Sequence, residues 1–319
     1  MLNFIYWPIS AILWFWHKVV SLVLSPDSGW AWVIAIVLLT FTIRAFLVKP
    51  MLNQMRSMRK MQELQPLMAE IKKKYPKDQQ KQMEETRKLQ KEMGVNPIAG
   101  CLPALVQMPV FIGLFHVLRS FNRTGTGKTQ LGLSVEQNRN TANYIFSPDD
   151  VQSFLDARIF GVPISSYISM PKEMYEAFKP VDFTKTDIMM VAVPLIILIV
   201  LATHFNARLS VNRQERRKAA GLQKAPANDQ MAMQANMMNR MMLWFLPATI
   251  IFTGALWHIG LLFYMVSNNI WTFFQQRWIF AKIDAEEAAE IEAKKEAKRA
   301  SAPLPGQRPN NPKRKGGKK

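Results

Sequence analysis

The 319-residue sequence has one cysteine, Cys101, and four histidines. A lone cysteine excludes a disulfide framework within the chain. It lies among small residues of an apolar run, where packing is its expected role. His17, His116, His204 and His258 are isolated, with no acidic or cysteine partner at ligand spacing, so no metal site is expected. Asp and Glu are missing from every long apolar run. A carboxylate proton relay of the kind pumps use therefore has nothing to work with. A phosphate loop is also lacking. RTGTGKTQ, residues 123–130, comes near, but the pattern puts Asn122 where its first glycine belongs. The segment reads as a flexible linker, and neither nucleotide nor cofactor is expected. No small-residue cleavage site follows the first apolar block, so no conventional cleaved signal is expected.

Apolar residues are abundant, at 49% of the chain, and they are gathered into blocks with the charges between them. About 20 apolar residues cross a hydrocarbon core as a helix. Five blocks qualify as spans: 30–48, 97–118, 188–206, 241–257 and 259–280. The last two are separated only at His258, which predicts a tight helical hairpin.

The charge pattern orients them. Lys and Arg outnumber Asp and Glu 12 to 6 in residues 49–97, 7 to 2 in 207–240 and 12 to 6 in 276–319, whereas 119–187 is balanced at 8 to 8. The positive-inside rule places the three basic segments in the cytoplasm. Residues 1–29, 119–187 and the turn at His258 then lie outside, and the C-terminus inside. The expected protein is an all-α, multi-pass membrane protein with a cytoplasmic C-terminus.

Between the spans, 49–96 is charged, with methionines at helical spacing (Met51, Met55, Met58, Met61, Met68) and a breaker, KYPKD. It predicts a cytoplasmic helical hairpin whose methionines form a seam or an adaptable apolar surface. Residues 119–187 form an extracytoplasmic loop, 207–240 a basic cytoplasmic loop, and 281–319 a basic tail. Within that tail 282–300 favours helix and 301–319 has a disordered composition. In residues 2–24 the polar side chains Asn3, Ser10, His17, Lys18 and Ser21 fall near seven-residue spacing, among Tyr6, Trp7, Trp14 and Trp16. This block is either an interfacial amphipathic helix or a sixth span.

Arg44 is the charge that stands out. It lies five residues before Lys49, or about 7–8 Å from the inner end at 1.5 Å per residue. Alone, it fits a side chain snorkelling to the headgroups. Other polar residues point to a different reading. Thr40 is one turn away on the same face, Gln107 interrupts the second span, and Tyr264, Ser267, Asn268 and Trp271 line one stripe of the fifth. Hydrogen-bonding groups in lipid need partners or water. The economical arrangement turns them toward one another around a hydrated cavity that holds an unpaired cation.

Three long runs carry a resemblance: IRAFLVKPMLNQMRSMRKMQELQPLMAEIKKKY, VNPIAGCLPALVQMPVFIGLFHVL and GLLFYMVSNNIWTFFQQRWI. Together they resemble the Oxa/Albino/YidC family of membrane protein insertases, in a short form similar to actinobacterial members. The resemblance implies five core helices around a hydrophilic groove, an N-terminal interfacial helix and a bacterial plasma-membrane location. It implies a substrate groove at Arg44, Thr40, Gln107, Met108, Phe111, Tyr264, Ser267 and Asn268. It implies insertion of nascent membrane proteins without nucleotide, with ribosome, signal-recognition targeting factors, Sec translocon and membrane lipids as partners. The chain departs from larger relatives in lacking a big extracytoplasmic domain and a lipid-modified cysteine, and Met265 stands where some have Trp. Two readings compete with insertion. One is an anion channel or transporter using Arg44, which the lack of an internal repeat disfavours. The other is a passive assembly scaffold.

Overall fold

The structure, a computed structural model, describes residues 3–94, 102–125, 132–223 and 229–300. Met1–Gln275 form one compact unit and Gln276–Lys319 a second. Cys101 and most of the RTGTGKTQ segment lie outside the described residues, as does 301–319.

Helices dominate. In chain order they are α1 (Asn3–Val20), α2 (Gly29–Lys74), α3 (Gln79–Glu92), α4 (Leu102–Arg119), α5 (Val135–Arg139), α6 (Pro148–Asp156), α7 (Lys185–Ala219), α8 (Asp229–Arg240), α9 (Leu246–Thr253) and α10 (Ile259–Ala300). A two-stranded antiparallel ribbon, β1 (Arg158–Ile159) with β2 (Val162–Pro163), pairs Arg158 with Pro163 and Ile159 with Val162. Among the described residues, Gly29–Leu64 of α2 and Lys185–Ala219 are long and apolar enough to cross a membrane. The fourth expected span is not one uniform helix. Met241–Phe245 wind as a π-helix, α9 follows, and Gly254–Leu256 close as a 3-10 turn.

α2 runs 46 residues without interruption, through Pro50 and Pro66, so the apolar segment and the charged segment after it share one helix. It ends at Tyr75, and Asp78 caps α3 by accepting from the Lys81 N–H at 2.9 Å. α10 likewise continues from its apolar start through the Ala/Glu/Lys-rich residues to Ala300.

α1 divides its polar stripe: Asn3 and Lys18 are exposed, whereas two of its residues turn inward. Its polar residues Ser10 and His17 are fully buried, while Phe4, Trp7, Phe15 and Val19 are exposed. Ser10 donates to Trp7 O and His17 Nε2 meets Pro26 O at 3.0 Å, so the inward polar groups have local backbone partners. Tyr6 stacks on His116 in the last turn of α4, and His17 stacks on Trp32 in the first turn of α2, with centroids 4.1 and 3.6 Å apart.

Trp32 centres the core. It is fully buried against Phe121, Phe146 and Phe154, and its indole N–H donates to Ser153 Oγ at 3.1 Å. Burying an aromatic of this size contributes about 2–3 kcal/mol. The segment 132–183 is built onto this core. Ser134, Ser147 and Thr184 each head a helix with a capping box. Lys18 of α1 pairs with Asp150 of α6 at 2.7 Å, and Arg139 pairs with Asp156. The ribbon sits against α2 so closely that Gly29 faces the backbone of Arg158.

The same segment fastens the start of α10. The first N–H groups of a helix have no partner inside it. Here Ile259 N–H donates to Ser166 O at 3.0 Å and Gly260 N–H to Ile164 O at 2.8 Å, while Ser169 N–H holds Ala255 O at 3.0 Å. His258 lies in this turn, 3% exposed, against the rings of Tyr167 and Phe115. Burial, reinforced by the nearby Arg119 cation, pushes its imidazole down to about 3. An unfolded histidine takes its proton near 6.5. The stabilisation is therefore complete above 6.5 and is lost as pH falls toward 3. We expect melting in detergent to drop steadily below pH 6.5, by about 2–3 kcal/mol at pH 4.5, and His258→Gln to flatten that dependence.

Candidate functional site

The polar residues of the fifth apolar block sit on α10, which receives polar contacts from three helices. From α2, Arg44 is 8% exposed and turns its guanidinium onto Asn268. Its Nε donates to Asn268 Oδ1 at 2.8 Å, and its Nη2 donates to the same oxygen. Nη2 also reaches Thr272 Oγ1 at 3.5 Å, and Nη1 lies 4.0 Å from the Met51 sulfur. Among the described residues no carboxylate forms an ion pair with this guanidinium. The cation read from sequence as unpaired therefore has partners, and among the described residues they are neutral, so none of them offsets its charge. A side chain that snorkelled would lie along the surface of α2 with its head in water; this one is drawn sideways to a neighbouring helix.

From α4, Gln107 donates from Nε2 to Tyr264 Oη at 2.6 Å. Tyr264 and Asn268 are one turn apart on α10, so α2 and α4 engage consecutive positions of one stripe. Tyr264 is 2% exposed. Phe111 packs its ring on Phe115 and Trp257, and Met108 on the same helix is 57% exposed. Thr40 of α2 and Ser267 of the stripe turn their hydroxyls to their own helices: each donates to the carbonyl four residues earlier, Ile36 and Phe263, at 2.7 Å. With 1% and 4% exposure they supply no open hydroxyl in this arrangement.

Several participants escaped the sequence reading. Thr272 continues the stripe from Asn268 by four residues and Gln275 from Trp271 by four. Trp271 donates to Gln275 Oε1 at 3.0 Å, and Gln275 Nε2 lies 3.4 Å from the Met51 sulfur. Extending the period past Trp271 would have found both. On the opposite flank of α10, buried Asn269 meets Thr203 and Asn206 of α7. Asn206 ended the expected third span and so passed as a boundary residue.

Chemically, the site offers a charged fork, amides and a phenol in an apolar setting. It can hold polar or anionic groups by hydrogen bonding and charge. It presents no nucleophile paired with a base.

The 60Kd inner membrane protein family profile matches residues 23–287. The chain is 45% identical over 308 residues to the membrane protein insertase YidC of Mycobacterium tuberculosis strain H37Rv, covering 97% of this chain and 80% of that protein. The insertase of the same name from Mycobacterium leprae is 42% identical over 308 residues, covering 97% and 77%. That of Corynebacterium efficiens is 30% identical over 285 residues, covering 86% and 67%. The motifs around Arg44, Gln107 and Tyr264–Asn268 fall inside the matched region, and the chain belongs to the 60Kd inner membrane protein family, the family of these bacterial insertases.

Proposed function

We propose that this protein is a membrane protein insertase of the bacterial plasma membrane, which passes the polar flank of a nascent membrane protein along the stripe of α10 while the apolar segment moves into lipid beside it. The observation that carries the site is Arg44, a full cation within an apolar helix, held by a neutral amide on α10. An arginine near the middle of a span costs ~2.5–3.5 kcal/mol on insertion scales, and rather less at the depth of Arg44. A charge kept at that cost, and not neutralised by a carboxylate, is available to a passing anionic or polar group.

In this reading five spans surround a hydrophilic groove formed by α2, α4 and α10. The groove residues are Arg44, Gln107, Met108, Phe111, Tyr264 and Asn268. Thr40 and Ser267 become available only when their side chains rotate away from their own helices. The basic segments and the C-terminus are cytoplasmic. α1 lies along the outer surface rather than across the membrane. Its two ends contact the last turn of α4 and the first turn of α2, which are both extracytoplasmic in this orientation, and its exposed apolar face meets lipid. The basic hairpin and tail suit contacts with ribosome, targeting factors and Sec translocon. Burial of ~20 apolar residues in lipid supplies the driving force, assisted on acidic outer flanks by ~2.3 kcal/mol per charge per 100 mV of membrane potential. No nucleotide enters this scheme, and no covalent bond is made or broken.

Photo-crosslinking to a stalled single-span nascent chain tests the path. Probes at Met108, Phe111 and Asn268 should capture the chain, and a probe at Phe252, 81% exposed on α9, should capture chiefly lipid. Equal capture from all four positions would remove the groove from the account.

A further inference from the structure

Asn268 and Asn269 are neighbours on α10 and project about 100° apart. The first is held by Arg44 of α2. The second is held by α7: Asn269 Oδ1 accepts from Thr203 Oγ1 at 3.2 Å and from Asn206 Nδ2 at 3.2 Å, and Asn206 Nδ2 also reaches the Asn269 backbone carbonyl at 3.1 Å. The remaining amide of Asn269 donates to Met265 O at 2.9 Å. Asn206 and Asn269 are 6% and 7% exposed.

We propose that Asn206, assisted by Thr203 through Asn269, is a positioning residue that fixes the rotation of α10 and so presents Asn268 to Arg44. The physical case begins with lipid. Between helices in a membrane there is no hydrophobic force to set rotation, because lipid tails are as apolar as the side chains. The flank of α10 bearing Ile270 and Phe274, 48% and 65% exposed, is thus nearly indifferent to a small turn. A rotation of about 20° moves a side-chain atom ~6 Å from the axis by about 2 Å. That is enough to break the 2.8 Å bond from Arg44 Nε to Asn268. The polar contacts at Asn269 are directional and buried, so they oppose that turn from the other side. Arg44 and Asn206 together grip one point of α10, and the groove cation keeps its geometry only while both hold.

This inference rests on the proposed role of Arg44 in receiving polar flanks. Its test uses the full-length protein in vesicles and two single-span test proteins that differ only in an acidic or a neutral outer flank. The readout is the ratio of their insertion. Asn206→Leu removes both donated bonds and should lower the acidic-to-neutral ratio roughly three- to tenfold, the size of effect that the loss of neutral hydrogen bonds produces. Thr203→Val, a milder change, should shift the ratio the same way by less; it decides the matter should Asn206→Leu fail to fold. Combined with Arg44→Ala, Asn206→Leu should lower the ratio no further, because both act through one contact. A purely structural role would lower the melting temperature and total insertion but leave the ratio unchanged. A folded variant with the wild-type ratio, or a double variant whose losses multiply, would overturn the positioning role while leaving the reading of Arg44 intact. An unchanged ratio in Arg44→Ala alone would overturn both.

Discussion

Arg44→Ala should reduce insertion of substrates with acidic outer flanks about tenfold, and that of substrates with neutral flanks much less. The size follows from the loss of one charge-assisted hydrogen bond at the low end of its range, about 1.5 kcal/mol, against 1.4 kcal/mol per factor of ten. The same substitution should leave the melting temperature level or raise it. The guanidinium is 8% exposed and its partners are neutral, so its removal relieves a desolvated charge and leaves only an amide and a hydroxyl to rehydrate. Activity lost without stability lost separates a groove cation from a structural one. Arg44→Lys keeps the charge and should retain much of the activity. It cannot reproduce the fork by which Nε and Nη2 share one oxygen of Asn268, so part of the flank preference should go. A reconstituted insertion assay alongside thermal melting reads both quantities.

The largest stability effect is expected far from that charge. In Gly29→Ala the added Cβ would lie 2.0 Å from the carbonyl oxygen of Arg158 and 2.5 Å from its carbon. Both are backbone atoms of a hydrogen-bonded ribbon and cannot yield as a side chain tip would. Overpacking of this kind costs about 3 kcal/mol, and here it lifts the segment 132–183 from the start of α2, beside the Trp32 core. We expect poor recovery of folded protein and a sharply lowered melting temperature. Gly161→Ala in the ribbon turn is the matched control. It has nothing within 4 Å but a φ of +81°, so its cost is conformational, about 1–2 kcal/mol. Equal melting temperatures for the two variants would mean that the contact between ribbon and α2 is not tight.

Much of the site was legible in the sequence. A charge in an apolar helix, an interrupting Gln107 and a period-3.6 stripe from Tyr264 to Trp271 pointed to one another, and the structure joins Arg44 to Asn268 and Gln107 to Tyr264. The direction of each hydroxyl was not legible. Thr40 and Ser267 share the right faces but bond their own helices, because in an apolar setting the carbonyl one turn back is the nearest acceptor. Asn206 and Asn269 were not legible either: Asn206, at a span boundary, looks solvated, Asn269 lies off the stripe within its span, and only packing shows that the two meet. The outer layer was the least legible. Tryptophan in a membrane protein suggests an interface anchor, yet Trp32 is a core residue surrounded by aromatics distant in sequence. The polar spacing of α1 was legible, but not which of its residues turn inward: Ser10 and His17 are buried while Asn3 and Lys18 are exposed. Buried polar side chains need partners, and here Pro26 O receives His17 Nε2 at 3.0 Å, a contact that spacing alone does not reveal.

The central claim, that this protein opens a polar path for an entering polypeptide, is tested most directly in sealed vesicles containing only this protein and lipid, without nucleotide. A single-span test protein is presented from outside, and protease protection of its translocated flank is measured with anion flux in the same vesicles. The account predicts a protected flank, dependent on Arg44, with no rise in anion flux. Anion flux without a protected flank would contradict it and assign Arg44 to a conduction pathway.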